Sequence, residues 1–380
     1  MRKRTFIFFV SVFLLIQSSV FPEGDKNKYV SDLKQDVPVE GESASKPGRT
    51  VLPNPDGFLI QRAIIYNLLE SGANAYKEKN YSLAEEEMKK VLELDPSNKF
   101  AHELIGDIYY LTQNLSEAKS HWQKSLSAEN IQRVNSKLAK LQKEMPVESK
   151  LKSAEEEHFI IRYDRTQKEY SSYQLKTLLR EAYKSIYQDM GTPLEEKTVV
   201  LLYDPDVFNK SVRKEHWSGA LFDGKIRVPL KGEEDKKLGG SKEFRKLIWH
   251  ELGHVFIYEI GGKNVPLWVH EGIAQYEENK IIPVNTDLFR AFLKSGKIYR
   301  ISQLSLGSKL FKDNQTILLF YQESFIVMKY LIKQYGFYKV RELLKSIRKG
   351  ENFDSAFIST FNLSPDEMDK KWLAWAGKNA

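Results

Sequence analysis

The run Phe244-Arg-Lys-Leu-Ile-Trp-His-Glu-Leu-Gly-His-Val-Phe-Ile-Tyr-Glu-Ile260 decides how the second half of the chain is read. It is apolar at helical spacing and carries His250 and His254 four residues apart. On a helix, positions four apart share a face one turn from each other, so two imidazoles can converge on one tetrahedral ion. Glu251 then lies beside the ion, where a carboxylate can take the proton from a metal-bound water. Two histidines four apart by chance would not need the helical setting in which these lie. The pattern predicts a zinc hydrolase with one Zn2+, with His250 and His254 as ligands and Glu251 as general base.

Downstream, Gly261-Gly262 ends the helix and Val265-Pro266-Leu267 opens a second one carrying Trp268, Val269, His270, Glu271, Gly272, Ala274 and Tyr276. A helix, a glycine reversal and another helix bring a side chain of the second back onto the first. Glu271 and His270 are both chemically able to complete the site, yet adjacent helical positions point about 100° apart and cannot both face the ion. Leu267 and Ala274, four before and three after Glu271, turn its side inward. Gly272 leaves room for the two helices to approach. Glu271 is therefore the leading third ligand, with His270 a supporting or cleft residue. A ligand set with a third histidine six residues past His254 is excluded, because Ile257 and Ile260 stand where that pattern needs Gly and His.

Upstream, Phe159 to Tyr163 is a short β-rich run, Tyr173 to Met190 an amphipathic helix closed by Gly191, and Thr198 to Tyr203 a fully apolar strand. Gly219 to Phe222 and Lys225 to Leu230 flank Asp223-Gly224, a hairpin signal. The order of strand, helix, strand, hairpin and metal helix predicts a mixed sheet with helices packed on it. Ile226 to Pro229, ending in proline, reads as an edge strand able to hold an extended peptide by backbone hydrogen bonds. Past the site the pattern is helical: Thr316 to Tyr335, Tyr338 to Lys349, Phe353 to Phe361, and a last helix opened by the capping box Ser364-Pro365-Asp366-Glu367. Its tryptophans, Trp372 and Trp375, are expected in the core.

Before this domain the chain repeats itself. Gly72, Tyr81, Ala84, Leu92 and Pro96 are followed 34 residues later by Gly106, Leu115, Ala118, Leu126 and Asn130. That period, with small residues where helices cross, resembles the tetratricopeptide repeat, and Gln132 to Lys143 can cap the array. Two repeats serve as a helical prop or as a peptide-binding surface; a protein partner for them is an open expectation. Residues 23–57, rich in charged residues, Ser, Pro and Gly, read as a flexible linker. At the start, Arg2, Lys3 and Arg4 precede the apolar run Phe6 to Ile16. A signal peptide or N-terminal anchor over 1–22 and an extracytoplasmic protein are expected. Membrane association is expected only if that segment stays uncleaved.

Composition is consistent with this. At 380 residues, 41% hydrophobic and 29% charged, the chain suits about two soluble domains. The formal charge of +7 owes three charges to the first four residues, and the other cations are interspersed with acids, so no nucleic-acid partner is expected. There is no cysteine, so a metal site must use His and carboxylate ligands.

Three stretches carry a family resemblance: Trp249-His-Glu-Leu-Gly-His254, Trp268-Val-His-Glu-Gly-Ile-Ala274 and Phe320-Tyr-Gln-Glu-Ser-Phe325. Together they resemble the gluzincin metallopeptidases, in particular the short bacterial peptidase MA-like domains often joined to tetratricopeptide repeats. The likeness covers roughly residues 156–376. It implies that His250, His254 and Glu271 bind zinc and that Glu251 is general base and acid. It also implies that Tyr321 donates to the oxyanion of the reacting carbonyl, a role for which Tyr276 and Tyr330 compete. The fold class that follows is α+β, with α-helical tetratricopeptide repeats over 58–145 and a zincin-like domain over 153–380. That domain is expected to have a mixed sheet, the HExxH helix and a C-terminal helical subdomain. The expected function is an exported zinc-dependent hydrolase of a peptide or protein substrate. The alternatives are an extracytoplasmic scaffold whose metal domain is inactive or structural, and a zinc hydrolase of a non-peptide amide.

Overall fold

The computed structural model describes residues 55–128, 130–164, 170–211, 221–230 and 241–379. The expected signal segment and most of the expected linker lie outside them. Contacts divide the chain into two compact units between Ser149 and Lys150.

The first unit is helical: α1 (Pro55–Lys77), α2 (Tyr81–Leu94), α3 (Lys99–Leu111), α4 (Leu115–Ser125) and α5 (Ile131–Glu148). Close helix contact is built from the small residues that the 34-residue period singles out. A Cβ on Gly72 would strike Met88 Cε at 2.4 Å, and one on Gly106 would strike Trp122 Cδ1 at the same distance. Ala84 and Ala118 are fully buried. The two hairpins also turn alike, for Lys79 and Gln113 each take left-handed backbone, φ 61° and 68°. Asn130, where the first repeat has Pro96, is buried and donates to the Ser125 carbonyl at 2.9 Å. α5 runs longer than its predicted span and docks through ions as well as apolar groups. Arg133 Nε meets Glu103 at 2.8 Å, and Lys137 bridges Glu103 at 2.8 Å and Asp107 at 2.7 Å.

The second unit opens with β1 (Lys152–Glu155), β2 (Phe159–Tyr163), α6 (Tyr170–Met190), β3 (Thr198–Tyr203), α7 (Pro205–Ser211), β4 (Leu221–Phe222) and β5 (Ile226–Pro229). Among the described residues the strands form one mixed sheet in the order β1-β2-β3-β5-β4. β2, β3 and β5 are parallel, while β1 and β4 join antiparallel at the two edges. Alternate residues of the parallel strands, Phe159, Ile161, Val200, Leu202, Ile226 and Val228, enter the core with Leu179 and Ile186 of α6. The expected edge strand is corrected here. Ile226–Pro229 is interior, with Val200 to Tyr203 on one side and Leu221-Phe222 on the other. Pro229 is tolerated because it ends the ladder, where Leu230 N donates to Tyr203 O at 3.0 Å.

Helices supply the rest: α8 (Lys242–Gly261), α9 (Leu267–Glu278), α10 (Asp287–Lys294), α11 (Ile301–Leu304), α12 (Asn314–Tyr335), α13 (Phe337–Arg348), α14 (Phe353–Phe361) and α15 (Pro365–Asn379). α8 is capped by Ser241, which accepts from Phe244 N at 3.0 Å, and ends at Gly262 with φ 70°. From Ile248 to Ile257 every residue is buried, so α8 runs through the middle of the unit and has no wet face there. Both expected tryptophans meet the core; Trp372 is fully buried and Trp375 packs against it in part. Among the described residues no helix is long and apolar enough to cross a membrane.

Candidate metal centre

α9 folds back so that it lies between α8 and α12, and two glycines set how near each neighbour comes. A Cβ on Gly253 of α8 would sit 3.2 Å from Ala274 Cα, so this glycine brings α8 and α9 together. A Cβ on Gly272 would lie 2.5 Å from Ser324 O and 2.9 Å from Met328 Cβ, both of α12. The expectation for Gly272 is thus corrected: its missing side chain admits α12, while Gly253 admits α9 to α8. Gln275 secures the second contact by donating to Tyr321 O at 2.9 Å.

This packing gathers His250, His254 and Glu271, all buried, into a group that could hold a metal ion, and no other such group occurs among the described residues. His254 Nε2 is 3.2 Å from His250 Nε2; Glu271 Oε2 is 3.5 Å from His250 Nε2, and its Oε1 is 3.8 Å from His254 Nε2. Ligands at about 2.0–2.2 Å around a tetrahedral ion stand roughly 3.4 Å from one another, so the triangle has the right size. Both Glu271 oxygens are buried without a hydrogen bond of normal geometry, an arrangement a cation would relieve. The donor set, two imidazoles and one carboxylate, suits zinc.

The surroundings sort the remaining candidates. Glu251 is fully buried, and its charge is felt by both Glu271 and Tyr321. Tyr321 of α12 is 4% exposed. Burial, and then the charges of Glu271 and Glu251, push its phenol well above the ordinary range. Its hydroxyl lies near enough to Glu271 to interact with that carboxylate. The competing tyrosines are elsewhere: Tyr276 packs on Phe337 and Tyr330 on Trp375. His270 is buried with its ring 5.7 Å from that of His254, and burial alone lowers its pKa to about 3. It packs beside His254 and is not an exposed histidine.

Electrostatics treat His250 and His254 differently. Burial pushes both imidazoles down. For His250, hydrogen bonding and charge from Glu271 and Glu278 outweigh burial and raise it, whereas His254, beside the charged His250, is held well below the usual range. Glu278 had no place in the sequence reading. Its Oε2 accepts from His250 Nδ1 at 2.9 Å, while its Oε1 pairs with Lys246 at 3.2 Å. The available signal was spacing, since Glu278 follows Glu271 by two helical turns and Lys246 precedes His250 by one.

The family model described as Peptidase MA superfamily matches residues 182–378, just over half of the chain, and includes every residue of this cluster. The chain belongs to the Peptidase MA superfamily. No curated protein matches it. A peptidase-like domain implies a peptide or protein substrate, and the superfamily is typically metal-dependent, which agrees with the His-His-Glu group. Helices α8, α9 and α12, which lie wholly within the matched residues, supply His250, Glu251, His254, Glu271, Glu278 and Tyr321.

Proposed function

We propose that this protein is an exported, gluzincin-type zinc peptidase that hydrolyses peptide bonds with Glu251 as general base. The observation that carries the reading is the buried triangle of His250, His254 and Glu271 with Glu251 and Tyr321 beside it. When bound, zinc supplies Lewis acidity that polarises the scissile carbonyl and brings a coordinated water's pKa towards neutrality. The Glu251 carboxylate accepts the water's proton and passes it to the departing amine. Tyr321 donates from its hydroxyl to the carbonyl oxygen as negative charge develops there, and its burial in a low-dielectric wall strengthens that bond. His250 is held as the Nδ1–H tautomer by Glu278, which leaves Nε2 turned to the ion, and Lys246 fixes the carboxylate in that role.

Residues 58–145 serve as a tetratricopeptide repeat domain of two repeats and a capping helix. Support comes from the 34-residue equivalence of Gly72 with Gly106, Ala84 with Ala118, and the left-handed turns at Lys79 and Gln113. The charged start and apolar run of residues 2–16 support export. The test is zinc analysis with a peptide-library digest of wild type and Glu251→Gln. The amide keeps the shape but cannot accept the proton at neutral pH, so the variant is expected to hold zinc and lose turnover. Retained turnover with bound zinc excludes Glu251 as the base. A wild type that holds zinc and cleaves no peptide turns the reading towards a scaffold or a non-peptide amide.

A further inference from the structure

The helical unit carries two histidines that its scaffold does not require. His102 of α3 and His121 of α4 bring their Nδ1 atoms to 3.1 Å, with ring centroids 5.0 Å apart and the rings 61° from parallel. The first repeat has Leu68 and Glu87 at the equivalent positions, 34 residues earlier in each case, so the helix crossing forms without imidazoles there. His102 is buried, whereas His121 is half-buried and partly open to solvent. The tautomer of His102 follows from its other partner. Its Nε2 is 3.1 Å from Pro96 O, and a carbonyl can only accept, so Nε2 carries the proton and the bare Nδ1 faces His121. A backbone carbonyl on one ring nitrogen, with the other left bare, is how proteins orient a histidine that binds a metal. His121 donates from Nδ1 as the pair stands; moving that proton to its own Nε2 turns a second lone pair to the same point without changing the charge. Burial keeps both rings neutral near pH 7, against the pull of the Pro96 carbonyl on His102, and lowers His121 to about 4 with help from His102 and Lys124. An incoming ion therefore has no bound proton to displace.

We propose that His102 and His121 form a second metal site, in the helical unit, that takes a transition-metal ion through their two Nδ1 atoms, copper(II) in preference to zinc, with water completing the coordination. Two nitrogens at about 2.0 Å from one ion stand roughly 2.8 Å apart in a square-planar arrangement and 3.3 Å in a tetrahedral one, and the observed separation falls between. The choice of ion follows from the surroundings. Lys99 and Lys124 set positive charge against a cation, while Glu85, whose Oε1 accepts from Tyr109 at 2.8 Å, sets negative charge on the His121 side. With those fields opposed and two protein ligands, affinity comes from the nitrogen donors, and copper(II) is the divalent first-row ion they bind most tightly. Tyr109, edge-on to His121 at 5.6 Å, holds that ring in place.

The experiment counts copper and needs no turnover. The full chain, wild type and the variants His102→Gln, His121→Gln and His158→Gln, is dialysed against buffered Cu2+ and the bound metal is measured per chain, with a thermal melt of each metal-free protein. His102→Gln and His121→Gln are each expected to hold one equivalent less than wild type, whatever the superfamily domain binds, and His158→Gln as much as wild type. The affinity of that equivalent should fall by more than the roughly 10- to 100-fold that losing an orienting partner costs. Dialysis against Zn2+ should fill the same site more weakly. His121 is half-buried, so His121→Gln decides the matter should His102→Gln melt below wild type. Equal copper in wild type and His121→Gln overturns the inference, as does a loss shared by His158→Gln, and either result leaves the peptidase reading untouched. A site that prefers zinc overturns the assignment of the ion.

Discussion

Gly272→Ala offers a direct test of how the candidate metal centre is built. Its Cβ would lie 2.5 Å from Ser324 O and 3.1 Å from Ser324 C, both backbone atoms of a buried helix, so no side-chain rotation can relieve the contact. Overpacking of this kind costs about 1–3 kcal/mol, and a carbonyl obstacle belongs at the upper end. Alanine returns up to about 1 kcal/mol through helix propensity, leaving a net loss of about 1–2 kcal/mol. For a unit of this size that lowers Tm by about 2–8 °C. The strain is relieved by pushing α9 away from α12 and onto α8, where Gly253 already lies against Ala274, which shifts the neighbouring Glu271 out of register with His250 and His254. Zinc affinity should therefore fall by about 10-fold or more, as 1.4 kcal/mol of misplacement suffices for that. Differential scanning calorimetry of the metal-free protein and zinc titration against a competing chelator measure the two effects separately. Gly253→Ala, whose nearest contact is 3.2 Å, should be milder, and Gly377→Ala, with nothing within 4 Å, should melt no lower than wild type. Gly272→Ala melting at or above wild type with unchanged zinc affinity would refute the packing argument.

Tyr321→Phe should lower kcat on the order of 100-fold with little change in KM, read in steady-state kinetics, because an oxyanion donor acts mainly in the transition state. An unchanged kcat returns the residue to a packing role. Glu278→Gln should weaken zinc binding by about 10- to 100-fold without lowering Tm of the metal-free protein, and Glu271→Ala should lose more; competition with a chelator ranks them. His270→Ala exceeding both would move the third ligand. In the helical unit, burial raises Asp107 to about 6, against the pull of Lys137 and with a further push from Glu103. A carboxyl whose folded pKa lies above its unfolded value of 3.8 stabilises the fold most fully below that value, and the contribution is lost as pH rises through about 6. Amide exchange in α3 and α5, corrected for intrinsic rates, should show Asp107→Asn gaining on wild type between pH 4 and pH 7.

The parts of this molecule legible in the sequence are those where a period and a chemistry coincide. His250, Glu251 and His254 declare themselves because one turn of helix is all the geometry they need, and the 34-residue repeat because it needs only comparison of the chain with itself. Phe159–Tyr163, Thr198–Tyr203 and Phe353–Phe361 have the predicted bounds for the same reason, as local propensity and burial agree. What stayed hidden depends on partners distant in the chain. The Asp223-Gly224 turn signals that β4 and β5 pair, but the second neighbour that makes Ile226–Pro229 interior is β3, over 20 residues earlier. Gly272 reads in the sequence as a close approach, but its partner α12 lies some 50 residues further on. The pair Glu277 and Glu278 makes the same point within one turn. Both are buried glutamates on α9, alike in sequence, yet Glu277 meets Lys280 at 2.6 Å while Glu278 meets His250 at 2.9 Å. Adjacent helical positions differ by about 100°, so the rotation of α9 decides which of the two reaches His250. That rotation is set by the depth of contact that Gly253 and Gly272 allow on opposite sides of the helix. The two glycines, and not any acidic motif, thus select Glu271 and Glu278 over His270 and Glu277.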